Sequence, residues 1–182
     1  MLDMGHKFRL YKKIMKKIGL LSDTHGYWDD RYIKYFSECD EIWHAGDIGS
    51  MTMIDRLALI KPVRAVYGNI DGHLERLRFS RYLFFECEGV KVLMTHIGGY
   101  PGHYAPEIIN ELNEFRPKLF ICGHSHIAKV KFDPKRQLLH INPGAAGKQG
   151  FQTVRTLVRF ELDQEKVLNL EMIELRDAAR NE

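Results

Sequence analysis

Ile18-Gly19-Leu20-Leu21-Ser22-Asp23-Thr24-His25-Gly26 is a short apolar run that stops in a polar turn. A run of this length, bounded by turn residues, reads as a buried β-strand. The next segments repeat the same grammar. Residues 29–37 read as a helix and Glu41–Ala45 as a second strand, ended by Gly46-Asp47. Residues 50–60 carry Met51, Ile54, Leu57 and Ala58 at helical spacing. Val63–Tyr67 reads as a third strand, ended by Gly68-Asn69. Strands alternating with helices argue for a parallel α/β sheet.

Beyond residue 80 the pattern changes. Tyr82–Glu86 and Lys91–Thr95, around Glu88-Gly89, predict a β-hairpin. Residues 105–115 read as a helix closed by Pro117, and Leu119–Cys122 as another buried strand. The last third is strand-like at Ala128–Phe132, Gln137–Ile141, Thr153–Leu162 and Val167–Glu174. This describes one domain with a mixed sheet, or two packed sheets, flanked by helices. The domain is expected over residues 15–176. Residues 1–14 are expected to be a basic, poorly ordered extension and residues 177–182 a frayed tail.

Composition narrows the partners. The 182 residues carry 27 Lys+Arg against 24 Asp+Glu, a net charge of only +3. That argues against extended nucleic-acid binding, which shows a clustered basic excess. No apolar run is long enough to cross a membrane as a helix, and none after the basic N-terminus makes a signal peptide. Three unpaired cysteines, Cys39, Cys87 and Cys122, fit reduced thiols in a cytoplasmic protein. Neither a Gly-x-Gly-x-x-Gly turn nor a Gly-Lys-Ser/Thr phosphate loop follows the first strand, which disfavours a nucleotide-binding domain.

The strand ends carry the chemistry. They read Asp23-x-His25, Gly46-Asp47, Gly68-Asn69, His96 and Gly123-His124-Ser125-His126. In open α/β sheets the functional crevice lies at the carboxyl ends of the strands, so residues distant in sequence converge there. Asp-x-His and His-x-His are expected to present both ligands on one side of an extended segment. Two Asp, one Asn and four His exceed the ligand set of one metal and suggest two ions, held ~3.5–4 Å apart by a bridging carboxylate. Imidazole and carboxylate donors suit Zn, Fe or Mn.

These motifs, in this order, resemble the five motifs of the calcineurin-like metallophosphoesterase superfamily. Asn142-Pro143-Gly144 adds a signature of its small single-domain prokaryotic phosphodiesterase branch. The resemblance implies a four-layer α-β-β-α sandwich with two mixed sheets and a binuclear metal site at the strand ends. It implies that Asp23, His25 and His126 bind one divalent ion, that Asn69, His96 and His124 bind a second, and that Asp47 bridges them. Manganese is the first expectation, with Fe, Zn or Ni as alternatives. The activity implied is hydrolysis of a small phosphodiester by a metal-activated hydroxide. The alternative is a scaffold of the same fold that binds proteins with little or no catalysis, as the retromer subunit of similar fold does.

One departure matters. The family motif commonly reads Gly-Asn-His-Asp or Gly-Asn-His-Glu, with that His cast as general acid. Here the string is Gly68-Asn69-Ile70-Asp71, and Ile70 cannot donate a proton. This predicts a preference for esters with good leaving groups. His73 and His103 are the two candidate replacement donors, each weighed against an ordinary solvated histidine. His44 is expected to make a structural hydrogen bond, and His140 to be surface or sheet-packing. His6 belongs to the extension. Lys148 and Arg155, near Asn142-Pro143-Gly144, are weighed as contacts to substrate phosphate, with a solvated basic face the preferred reading. Phe79, Tyr82, Phe84 and Phe85 are expected in the core or in a homo-oligomer interface.

Overall fold

A computed structural model describes residues 15–176, so the expectations for the N-terminal extension, His6 and the C-terminal tail lie outside the described residues. Two five-stranded mixed sheets face each other. The first contains β1 (Lys16–Leu21), β2 (Glu41–His44), β3 (Val63–Ala65), β11 (Arg155–Asp163) and β12 (Lys166–Leu175). Its order is β12-β11-β1-β2-β3. Strands β1, β2 and β3 run parallel, and β11 is antiparallel to β1. The second contains β4 (Tyr82–Cys87), β5 (Val90–Thr95), β8 (Leu119–Ile121), β9 (Lys129–Asp133) and β10 (Leu138–Asn142) in the order β4-β5-β8-β10-β9. Strands β5, β8 and β10 are parallel, and hairpins add antiparallel edges at both sides. A two-residue ribbon, β6 (Gly99–Tyr100) with β7 (His103–Tyr104), follows β5.

Period-two alternation sorts the strand residues into layers. Ile18, Leu20, Trp43, Val92, Met94, Leu119, Ile121, Val158 and Phe160 share one core between the sheets. Leu21, Ile42 and Ala65 point the other way, against α1 (Arg31–Phe36) and α2 (Met51–Ala58) through Tyr32, Phe36, Met53, Ile54 and Leu57. Leu93 and Phe120 point away from the second sheet, against Ile108 and Leu112 at α4 (Ile109–Phe115). The result is the expected α-β-β-α sandwich. Trp43 is wholly buried at the centre, edge-on to Phe85 at 4.9 Å and Phe160 at 5.6 Å. Removing such a ring from a core costs about 3–5 kcal/mol. Gly19 lets α1 approach β1, since a Cβ there would lie 2.4 Å from a Phe36 ring carbon.

A third short helix, α3 (His73–Arg78), was not expected from the sequence. It makes less than two turns, and its apolar Leu74 and Leu77 are 64% and 72% exposed. No core-facing stripe therefore marks it.

The apolar hairpin residues are largely used inside the fold. Phe79 packs on the helix side of the first sheet, Phe85 on the inter-sheet core and Tyr82 on the α4 side. Phe84 is 40% exposed and meets Phe115 edge-on at 5.2 Å. Arg155 corrects the expectation of a solvated basic face. It is buried, and its Nη1 donates to Asp29 Oδ2 at 2.7 Å. Arg31 also holds that carboxylate, and together they keep Asp29 well below the usual carboxylate range against the opposing effect of burial. Lys148 stacks over Tyr27 at 4.8 Å.

Candidate metal centre

The loops after β1 and β2 are laced together by their backbones. Asp23 N–H donates to Gly46 O, His25 N–H to Asp47 O and Gly26 N–H to Ile48 O. Gly123 N–H donates to His96 O, which ties the second sheet's loops together in the same way. Asp71 adds the loop after β3. Its Oδ2 accepts from Gly68 N and Ile48 N and its Oδ1 from Gly49 N.

Five expected donors converge on one point between the sheets. Asp23 Oδ1 lies 3.1 Å from His126 Nε2 and 3.9 Å from His96 Nε2. Asp47 Oδ1 lies 3.2 Å from His96 Nε2, and Asp47 Oδ2 lies 3.7 Å from His25 Nε2. His25 Nε2 and His126 Nε2 are 3.5 Å apart. Donor atoms of Asp23, His25 and His126 lie within 4.8 Å of one another, and so do those of Asp23, Asp47 and His96. Asp23 is thus common to both groups. His124 meets His96 ring to ring at 5.3 Å. Asn69 lines the same cavity wall as His96.

The backbone explains how neighbouring donors meet, and corrects the expectation of extended segments. Asp23, His25, Asp47, His124 and His126 all have φ between 47° and 70°. Left-handed backbone at non-glycine residues is uncommon and persists where surrounding structure over-determines it. Here the laced loops and the inter-sheet core do so.

Other side chains orient the imidazoles. His96 Nδ1 donates to Ala45 O at 2.8 Å, which leaves Nε2 as the ring nitrogen turned towards the carboxylates. His126 Nδ1 lies 2.9 Å from Gln152 Oε1, an acceptor, so Nδ1 carries a proton and Nε2 is the ring nitrogen turned towards Asp23. Such partners fix tautomer and ring orientation in histidine metal ligands. His44 is a structural histidine, as expected. Gly46 N–H donates to its Nδ1, so the proton sits on Nε2 and goes to Thr24 Oγ1, which donates onward to Ile48 O. Burial lowers its pKa to about 4, so it stays neutral. Asn142 braces the His124–His126 turn by donating to Gly123 O and Ser125 Oγ. Gln152 and Asp71 were missed at the level of sequence. Gln152 carries no motif, and Asp71 belongs to a known string but its role shows only in three dimensions.

The charges tell the same story. Burial pushes His96 down, but Asp47 and Asp23 facing it raise it above the ordinary imidazole value. Asp23 raises His126 to about 9. Burial opposes ionisation of Asp47, yet His96 and the Ile70 N–H bring it below its usual value. Burial, with neighbouring His96, lowers His124. This is a pocket of buried carboxylates that calls for positive charge.

Asp23 Oδ1 and His96 Nε2 are both buried with no aligned hydrogen-bond partner. Leaving two such groups unsatisfied costs about 1–3 kcal/mol each. A cation answers both, so the residues present fit a divalent metal. No thiolate competes: the three cysteines are free and buried, with burial raising Cys39 to about 11 and Cys122 to about 12. His73 and His103, the candidate proton donors, lie on the surface. Both are exposed, one opening α3 and the other in β7 beside Tyr100. His140 is buried and sheet-packing, not on the surface, with its Nε2 near Gly99 O.

Comparison with known proteins gives the family. The pattern of the calcineurin-like phosphoesterase superfamily domain matches residues 15–165. The chain belongs to that superfamily. A probable metallophosphoesterase of Methanocaldococcus jannaschii is 31% identical over 70% of this chain and 67% of its own. One from Methanothermobacter thermautotrophicus is 28% identical over 70% of this chain and 76% of its own. A solved archaeal phosphodiesterase superposes with a TM-score of 0.67 at 25% identity, covering 87% of this chain and 99% of that one. Vps29 of Chaetomium thermophilum superposes with a TM-score of 0.68 at 14% identity, over 88% of this chain and 97% of its own, which shows the shared fold alone. No helix among the described residues is long and apolar enough to cross a membrane.

Proposed function

We propose that this superfamily member is a binuclear metal-dependent phosphodiesterase acting on a small phosphodiester. The observation that carries the reading is the pair of buried, unaligned donors, Asp23 Oδ1 and His96 Nε2, ringed by His25, Asp47 and His126. In this reading Asp23, His25 and His126 hold one ion, Asn69, His96 and His124 hold the other, and Asp47 lies between. Mn is the first choice of metal, with Fe, Zn or Ni accommodated by the same donors.

Two ions bound there would act as Lewis acids on the phosphoryl oxygens and bring the pKa of water towards neutrality. The chain's own residues do the rest. Ala45 O and Gln152 hold the His96 and His126 rings by Nδ1, so that Nε2 of each faces inward and would be the atom that meets an ion. The Ile70 N–H, donating to Asp47 Oδ1 at 3.1 Å, holds that carboxylate in place. Ile70 brings no proton to the leaving group, and the candidates His73 and His103 lie on the surface. The leaving alcohol therefore departs without an acid from this loop, which favours acidic alcohols. The modest net charge suits a small diester better than extended nucleic acid.

The full donor set also favours the enzyme over a protein-binding scaffold of the same fold. The test is metal stoichiometry. Chelator-stripped protein titrated with Mn should bind about two ions per chain, and Asp47→Ala should weaken both. Binding of no ion by folded protein would remove the basis of the proposal.

A further inference from the structure

A cavity of about 220 Å³ adjoins the metal centre on the side of Asn69 and His96. Its wall also includes Tyr67, Thr95, Arg76 and Arg81, and it includes no carboxylate. Two cations beside a phosphoester site with no acid to neutralise them make an anion site.

Arg76 is preorganised. Its Nε donates to Asp71 O at 2.8 Å, its Nη2 to Gly68 O and Asn69 O at 3.2 Å, and its guanidinium stacks on Tyr67 at 4.5 Å. All three bonds go to backbone carbonyls, so its charge is uncompensated, and its Nη1 hydrogens are uncommitted among the described residues. The two nearby acids are spent elsewhere. Asp71 accepts three backbone N–H groups, and Glu75 Oε2 accepts from Gly72 N. Arg78, by contrast, is paired with Asp55. Arg81 is exposed, rests over Tyr82 at 5.2 Å, and meets no carboxylate among the described residues.

We infer that Arg81, with Arg76, forms a subsite for a second anionic group of the substrate, set beside the phosphodiester bound at the metal centre. The substrate class is then a phosphodiester that also carries a phosphate, such as a phosphorylated nucleotide ester. This rests on the phosphodiesterase reading. A planar guanidinium suits phosphate through paired N–H donors. Neither arginine touches the scissile bond, so the gain should appear in KM rather than kcat.

The test uses the full chain and a matched pair of substrates. One is the p-nitrophenyl ester of thymidine 5′-phosphate, and the other is the same ester bearing a 3′-phosphate. With Mn added, the 3′-phosphate should raise kcat/KM by about tenfold or more, chiefly through KM. Arg81→Met should abolish that advantage. Arg136→Met, on the α4 side of the molecule, should keep it. An advantage absent in the wild type, or surviving Arg81→Met, overturns the inference. A second readout needs no catalysis. Chelator-stripped protein should bind inorganic pyrophosphate, by calorimetry, about tenfold more tightly than the Arg81→Met variant, and equal affinities overturn the inference. If the wild type cleaves neither ester but binds pyrophosphate through Arg81, the subsite stands and the hydrolase reading falls. If both esters are cleaved equally and Arg81 makes no difference, the hydrolase stands and the subsite falls.

Discussion

Gly68 sits where the loop after β3 crosses Asp47, and replacing it with alanine should separate folding from function. A Cβ at this position would lie 2.1 Å from Asp47 Oδ1 and 2.3 Å from Asp47 N. Ordinary contact begins near 3.4 Å, so the Asp47 backbone must retreat by about an ångström. A side-chain rotation cannot absorb that shift, because one of the obstructing atoms is backbone. Nor can Asp47 move alone, since its carbonyl accepts from His25 N at 3.0 Å. Overpacking of this kind costs about 1–3 kcal/mol, or a fall of roughly 2–12 °C in Tm for a chain of this size. A misplacement of about 1 Å among reacting groups costs on the order of a hundredfold in rate. The assay is kcat/KM for bis-p-nitrophenyl phosphate at saturating Mn, beside Tm from circular dichroism. Gly72→Ala is the control, because its Cβ would meet only Glu75 Oε2, at 3.3 Å. Gly68→Ala should stay folded and lose about a hundredfold, while Gly72→Ala stays within about threefold of wild type. A folded Gly68→Ala variant with wild-type kcat/KM would show that Asp47 does not need this position.

Three further outcomes are expected. Gln152→Leu should weaken Mn binding about 10–100-fold in calorimetry with little change in Tm, since it removes the partner that orients His126; unchanged affinity would deny Gln152 that role. Ile70→His should speed hydrolysis of diphenyl phosphate, a poor-leaving-group ester, by about tenfold or more and change bis-p-nitrophenyl phosphate little, because a general acid helps only where the leaving group needs a proton; an equal gain on both esters would argue against acid catalysis. Acid should destabilise the fold through Glu41. Burial opposes its ionisation, but Arg64, Lys16 and Trp43 hold it down to about 2 against an ordinary 4.5. Its stabilisation is therefore complete above about pH 4.5 and is lost as pH falls towards 2. Arg64 and Lys16 are partly exposed, so screening reduces the contribution to about 1–2 kcal/mol. Urea unfolding at pH 7 and pH 3 should show a smaller pH difference in Glu41→Gln than in the wild type.

Much of the site was legible because it lies at strand ends, where an apolar run stops at a polar donor. Short apolar runs at Ile18–Leu21 and Val92–Met94, stopped by turn residues, marked the strands, and the Glu88-Gly89 turn marked the hairpin. What stayed hidden depended on long-range pairing. Arg155 reads as a solvated cation until Asp29, 126 positions away, closes on it. Helix α3 lacks a buried stripe. Left-handed backbone at Asp23, His25, Asp47, His124 and His126 leaves no compositional trace, because only glycine advertises positive φ in a sequence. Gln152 is one polar residue in a loop, identified by its bond to His126 alone.

Metal-dependent diester hydrolysis tests the assignment of the centre most directly. Chelator-stripped protein should cleave neither bis-p-nitrophenyl phosphate nor p-nitrophenyl phosphate. Added Mn should restore cleavage, faster on the diester, and Asp47→Ala and His124→Ala should each abolish it. Folded, Mn-loaded wild-type protein that cleaves neither ester would contradict the assignment and favour a protein-binding role for this fold.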